Sequence, residues 1–232
     1  MKQKLLILIV LCMMWFVPTM SQTGHFISAD RFSNSIITDL CQDKYGNIWI
    51  ATDYGLNKFD GYEFTSYLHE VNEENSLCNN AVVDLLCDRE GNLWVGTNRG
   101  LDRYDPESDS FVHYPFPNGY RPRVPCLVQR SDGELLVCTS GYGAYLVSDN
   151  QELVPTMDYT PEADEPYYDD VYEDSKGRFW RVSLAENAII LLADKSFSKF
   201  ESTVGTPLAF IERADELLVI GFDGIMSYRN GQ

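Results

Sequence analysis

Hydrophobic and polar positions in this chain follow two patterns at once. The segment Ile48-Trp49-Ile50-Ala51 is apolar at every position. A strand with one wet face alternates, so this one is predicted to be covered on both faces. It follows Asp43-Lys44-Tyr45-Gly46-Asn47, in which the Asp side chain can cap a turn and the Gly can take the positive φ that closes it. Gly55-Leu56 marks a second tight turn into a strand ending at Phe59-Asp60, and Phe64-Thr65-Ser66-Tyr67 opens another. Four short antiparallel strands are predicted.

The same series recurs. Leu85-Leu86-Cys87-Asp88-Arg89-Glu90-Gly91-Asn92-Leu93-Trp94-Val95-Gly96-Thr97 repeats residues 40–52 almost position for position, and Gly100 to Asp105 repeats Gly55 to Asp60. Asp132 to Thr139 is a weaker copy with Leu136 in place of Trp. Asp174 to Val182 restores the Trp as Trp180, and Asp215 to Gly221 has lost the turn glycine. Turn glycines 46, 91, 133 and 177 recur at intervals of 45, 42 and 44 residues, with the last copy about 38 further on. Periods of this length with four short strands each predict an all-β fold, a β-propeller of about five four-stranded blades. The blades are expected near 37–67, 82–114, 124–154, 168–200 and 208–228. Trp49, Trp94 and Trp180 are expected in the core between blades. Ala51, Gly96 and Cys138 share one repeat position, which predicts close packing there.

Composition agrees with a β protein: 14 Tyr, 12 Phe and 4 Trp suit pleated, half-buried surfaces. The net charge of −17 argues against a nucleic-acid partner or an anionic membrane surface, since both need clustered cations. Lys2 and Lys4, the apolar run 5–17, and small residues up to Ser21 read as a signal peptide over residues 1–21. The run is short against the roughly 20 residues of a membrane span, although an uncleaved anchor is the competing reading. Residues 22–232 are then an exported, periplasmic domain with no further membrane span. Five cysteines remain beyond the leader: Cys41, Cys78, Cys87, Cys126 and Cys138. An odd number with no CxxC favours buried thiols, four of them on strands, with one bridge left open.

The segments NIWIATDYGLNKFDGYEF and NLWVGTNRGLDRYDPESDSF closely resemble two-component regulator propeller repeats. The resemblance is specific over residues 26–114 and looser to about 228. Proteins of that kind form the periplasmic sensor portion of hybrid two-component systems that regulate polysaccharide use in Gram-negative gut bacteria. In them, two seven-bladed propellers and a Y-shaped β-domain precede a membrane helix and a histidine kinase. Five repeats with no second propeller, later membrane helix, kinase or receiver depart from that pattern. The departure implies that this chain performs no phosphotransfer and is an open portion of a seven-bladed propeller. Residues 26–29 resemble a fourth strand, which would complete the last blade if five blades closed; the open arc is the expectation.

Chemistry is sparse. His25, His69 and His113 lack metal-ligand spacing, and no HExxH, GxSxG or phosphate loop occurs, so no metal, cofactor or catalytic residue is expected. The acidic run 162–170 reads as a solvated loop rather than a Ca²⁺ site. Ligands of propellers commonly meet loops at one end of the central channel, and loops 62–80, 115–125 and 156–168 are candidates. Within the second, Tyr120 offers a stacking ring, and Arg121 and Arg123 offer fork donors suited to an acidic or hydroxylated sugar. The expected function is oligosaccharide sensing, with a homodimer or other sensor domains as further partners. An interaction scaffold or non-functional fragment is the alternative, and a propeller lyase, lacking convergent acid and base groups, ranks below both.

Overall fold

The computed structural model describes residues 32–148, 150–156, 171–183, 187–193, 196–213 and 216–229. The leader, residues 26–29, the acidic run and most of the 156–168 loop lie outside them. The described chain is all-β, an open β-propeller of consecutive antiparallel sheets.

The first sheet is β1 (Ile37–Gln42), β2 (Ile48–Thr52), β3 (Gly55–Phe59) and β4 (Phe64–Tyr67), hydrogen-bonded in sequence order. The second is β5 (Val82–Cys87), β6 (Leu93–Thr97), β7 (Gly100–Asp105) and β8 (Ser110–Tyr114). The third is β9 (Cys126–Gln129), β10 (Leu135–Cys138), β11 (Ala144–Val147) and β12 (Leu153–Thr156). The fourth is β13 (Val171–Glu173), β14 (Phe179–Ser183), β15 (Ala188–Ala193) and β16 (Ser196–Glu201). In the fifth, β17 (Pro207–Arg213), β18 (Glu216–Gly221) and β19 (Gly224–Arg229) pair in order. First strands meet first strands: β1 touches β5, β5 touches β9 and β9 touches β13. The first strand of each blade therefore faces the axis and the fourth lies at the rim.

Local chemistry explains the first turn of each blade. Gly46, Gly91, Gly133 and Gly177 all have positive φ, which costs glycine no steric penalty. The Asp43 carboxylate accepts the backbone N–H of Tyr45 and Asn47 at 2.9 Å each, and the indole Nε1–H of Trp49 at 2.9 Å. Asp88 holds Trp94 at 2.8 Å, and Asp174 holds Trp180 at 2.9 Å. One carboxylate thus satisfies a turn and the sole polar atom of a buried indole. The third blade lacks both partners: Leu136 replaces the Trp, and Arg130 stands at the Asp position. There the turn survives through Gly133 N–H to the Arg130 carbonyl (3.0 Å), with Arg130 paired to Asp132 and Glu134.

The core is a series of layers between blades rather than one cluster. Trp49, Leu56, Leu85 and Val95 join the first blade to the second; Trp94, Leu101, Leu127 and Val137 join the second to the third. Leu136, Val171 and Phe179 join the third to the fourth, and Trp180 packs with Leu217 and Val219 of the fifth. This is why Ile48–Thr52 and Leu93–Thr97 are apolar on both faces. Half-buried carboxylates also cross the seams: Asp39 accepts Leu85 N–H at 2.9 Å, and Asp84 accepts Leu127 N–H at 2.6 Å. At the ends of the arc, Ile36, Ile37 and Leu40 of the first blade and Phe222 and Ile225 of the fifth remain exposed. The cysteines divide: Cys126 and Cys138 are buried, as strand hydrophobes are expected to be, whereas Cys41, Cys78 and Cys87 are half-buried.

Candidate functional site

A cleft of about 1120 Å³ runs along β8 at the outer rim of the second blade. Two segments wall it. Residues 69–78 leave the first blade and lie beside the β8 edge, where Phe111 N–H donates to the Asn75 carbonyl at 2.8 Å. Opposite, the chain leaving β8 makes a 3-10 turn at Pro117–Gly119, with Asn118 at φ 61°, and delivers Tyr120 and Arg121.

Of the three residues the sequence nominates, the structure brings Tyr120 and Arg121 to this cleft. Tyr120 is exposed, and its ring lies 4.6 Å from that of Tyr142, tilted by 41°. Arg123 is not part of the lining; its carbonyl accepts Ser140 N–H at 3.0 Å and joins the loop to the third blade. The cleft follows a rim strand, because the 69–78 segment adds itself to that edge. Its walls carry Glu70, Glu73, Glu74 and Asp105 against Arg99 and Arg121, so carboxylates outnumber guanidiniums.

At the cleft wall lies a cluster that sequence spacing does not reveal. Donor atoms of Cys78, Asp102 and His113 fall within 4.8 Å of one another. Asp102 is fully buried. One carboxylate oxygen accepts Cys78 N–H at 2.8 Å, and the other lies 2.6 Å from His113 Nδ1. His113 Nε2 is 2.7 Å from the Glu74 carbonyl. Carboxylate and carbonyl oxygens only accept, so both ring nitrogens must donate, which describes an imidazolium. The hydrogen bond to Asp102 accordingly raises His113 above the ordinary histidine range, against its partial burial. Burial first, and then the charge on Asp102, push the Cys78 thiol well above its usual range.

The three groups could be read as a metal donor set or as a proton-transfer dyad, but the first blade explains them otherwise. There Ser33 N–H donates to Asn57 Oδ1 at 2.9 Å, Ser66 Oγ donates to the same oxygen at 2.8 Å, and Ser33 Oγ lies 3.1 Å from Thr52 Oγ1. Cys78 Sγ lies 3.1 Å from Thr97 Oγ1 in the same way. Asn57 and Asp102 pair with Ser66 and His113 at matching places in the register. The cluster is a latch that fastens each incoming segment to its blade, and in the second blade it is built from ionisable residues. Only superposing the blades shows this, because the partners are 24 and 11 residues apart.

The family model described as two component regulator propeller matches residues 31–54 and 76–99. Both segments are similar to two-component regulator propeller repeats. Each matched segment runs from the strap before a blade, through its first strand and Asp-capped turn, into the second strand. Histidine kinase P4 of Formosa agariphila is 42% identical over 52 residues, covering 22% of this chain and 4% of that protein. Among solved structures, the extracellular domain of a candidate hybrid two-component system from B. thetaiotaomicron superposes with a TM-score of 0.73 at 18% identity. That match covers 90% of this chain and 32% of the other, so this chain spans about a third of that domain. A catalytically inactive virginiamycin B lyase from Staphylococcus aureus gives a TM-score of 0.60 at 13% identity, over 84% of this chain and 70% of that one. At such identities the superpositions report the propeller fold. No helix among the described residues is long and apolar enough to cross a membrane.

Proposed function

We propose that this chain is the ligand-sensing part of a two-component regulatory system, exported to the periplasm, and that it takes an oligosaccharide in the cleft beside β8. The observation that carries the reading is the convergence of Tyr120 and Arg121 with the carboxylate- and amide-bearing 69–78 segment around one cleft. A sugar ring offers an apolar face to an aromatic side chain and hydroxyls to carboxylates, amides and guanidiniums. The excess of carboxylates on the walls favours a neutral, hydroxylated ligand over an acidic one. Binding is linked to fold geometry, since the cleft is walled by the segment that joins the first blade to the second. Transmission to a kinase belongs to other parts of the system, and phosphotransfer is not assigned to this chain.

Thermal unfolding of the full chain, alone and with a panel of neutral and acidic oligosaccharides, tests this. A ligand that binds only the folded state stabilises it by about 2.7 kcal/mol at 100 times its dissociation constant. A midpoint rise with a neutral glycan supports the proposal. A cooperative transition that no glycan moves overturns it.

A protein-interaction scaffold is the second reading, favoured by the apolar side chains Ile36, Ile37, Leu40, Phe222 and Ile225 exposed at the ends of the arc. A lyase is disfavoured, because both ring nitrogens of His113 are engaged by Asp102 and Glu74.

A further inference from the structure

We infer that Cys41 and Cys87 form a disulfide that links the first two blades. Cys41 lies on β1 and Cys87 on β5, the neighbouring axial strands, and their sulfurs are 2.7 Å apart. A disulfide bond measures about 2.05 Å, so little movement separates contact from bond. Both residues are half-buried, which leaves an exchange partner an approach.

The other seams show what this position normally does. Cys87 pairs with Leu93; Gln129, Glu173 and Glu212 pair at the same register place with Leu135, Phe179 and Leu217. In each of those three blades the residue reaches back to the turn of the preceding blade. Gln129 Oε1 accepts Arg89 N–H at 2.8 Å, Glu173 accepts Ser131 N–H at 2.7 Å, and Glu212 accepts Ser175 N–H at 2.8 Å. The first seam is the exception, for a cysteine cannot make that clamp. Its sulfur instead meets Cys41, which occupies the place of Tyr172, and Tyr172 in turn meets Glu212 at 3.2 Å. Side chains at these two places therefore face each other across a seam whatever their chemistry. The first seam replaces a polar clamp with a pair of thiols.

The remaining described cysteines are committed elsewhere. Cys78 Sγ contacts Thr97 Oγ1 at 3.1 Å, Cys126 Sγ contacts the Val171 backbone, and Cys138 is fully buried. The sulfur contact also holds Cys87 below the ordinary thiol range and pushes Cys41 above it. One of the two thiols, once deprotonated, displaces one thiolate from a small-molecule or protein disulfide, forming a mixed disulfide. The other then loses its proton to the departing thiolate and attacks the protein sulfur of that mixed disulfide, expelling the second thiolate. Two protein thiols are oxidised to one disulfide, and the oxidant's disulfide is reduced to two thiols.

The test is a thiol map of the full chain. The protein is treated with oxidised glutathione, denatured, alkylated with a maleimide and digested. The expected result is two fewer alkylated thiols per chain than in the reduced protein, and a linked peptide containing Cys41 and Cys87. Full alkylation, a lasting glutathione adduct, or a link to Cys78, Cys126, Cys138 or another chain overturns the inference. A second measurement reads the staple itself: a reductant lowers the unfolding midpoint of the oxidised protein but not that of Cys87→Ser. Equal shifts in both proteins also overturn it.

Discussion

The imidazole of His113 lies 2.6 Å from the fully buried carboxylate of Asp102, where the first blade places Ser66 against Asn57 at 2.8 Å. The same fastening thus depends on charge in one blade and not in the other. His113 is raised above the ordinary value of about 6.5 by its hydrogen bond to Asp102. A raised folded-state pKa contributes stability that is complete below pH 6.5 and is lost as pH climbs through the folded value. His113 is 41% exposed, so solvent screening limits the effect to about 1 kcal/mol or less. Wild-type stability should fall as pH rises above 6.5 relative to the double variant Asp102→Asn, His113→Ser, which rebuilds the neutral latch. Parallel pH profiles for the two proteins would show that the pair carries no charge-dependent stability.

Asp174→Ala should destabilise the protein by about 1–3 kcal/mol. It removes the acceptor of the buried Trp180 indole N–H and the partner of Arg178, leaving donors unsatisfied. Denaturant midpoints measure this. A double-mutant cycle with Trp180→Phe should give a coupling of about 0.5–3 kcal/mol, since the two side chains touch.

Acid should act on the same contact. Burial pulls the Asp174 carboxyl upward, but hydrogen bonds from Trp180 and Arg178 outweigh it and hold the group below its ordinary range. A depressed carboxylate contributes stability that is present above about pH 4 and lost as pH falls through the folded value. Asp174→Asn should flatten the stability loss below pH 4, as followed by tryptophan fluorescence.

Gly96→Ala should cost about 1–3 kcal/mol by overpacking a closed seam. An added Cβ would stand 2.7 Å from the Val124 carbonyl oxygen, which is backbone and cannot swing aside. Ala51, at the same place in the first blade, is buried without such an obstacle. Chemical denaturation of the variant decides the point.

For the cleft, Tyr120→Ala and Arg121→Ala should each weaken a glycan that shifts the unfolding midpoint by at least tenfold, or about 1.4 kcal/mol. Arg123→Ala should leave that affinity within twofold, because Arg123 lies outside the lining. Calorimetric titration of the three variants separates these outcomes.

The sequence by itself determined the repeat and hence the fold. The intervals between turn glycines, the Asp that caps the turn in the first, second and fourth blades, and strands apolar on both faces are all properties of one blade, and local backbone physics makes them legible. Even the packing of Trp49, Trp94 and Trp180 follows, because a strand covered on both faces needs neighbours. The tertiary structure alone decided which residues meet across seams and loops. The sequence nominates Tyr120, Arg121 and Arg123 as a group, but the turn at Pro117–Gly119 sends only the first two toward the cleft. Histidine spacing conceals the latch, since His113 meets Asp102 across a strand pair and Cys78 along an entering strap. Cysteine counting conceals Cys41 and Cys87, which stand 46 residues apart at different repeat positions on neighbouring blades. The reason is common to all three: a periodic pattern specifies which face each residue presents, but not which residue of the next blade stands opposite.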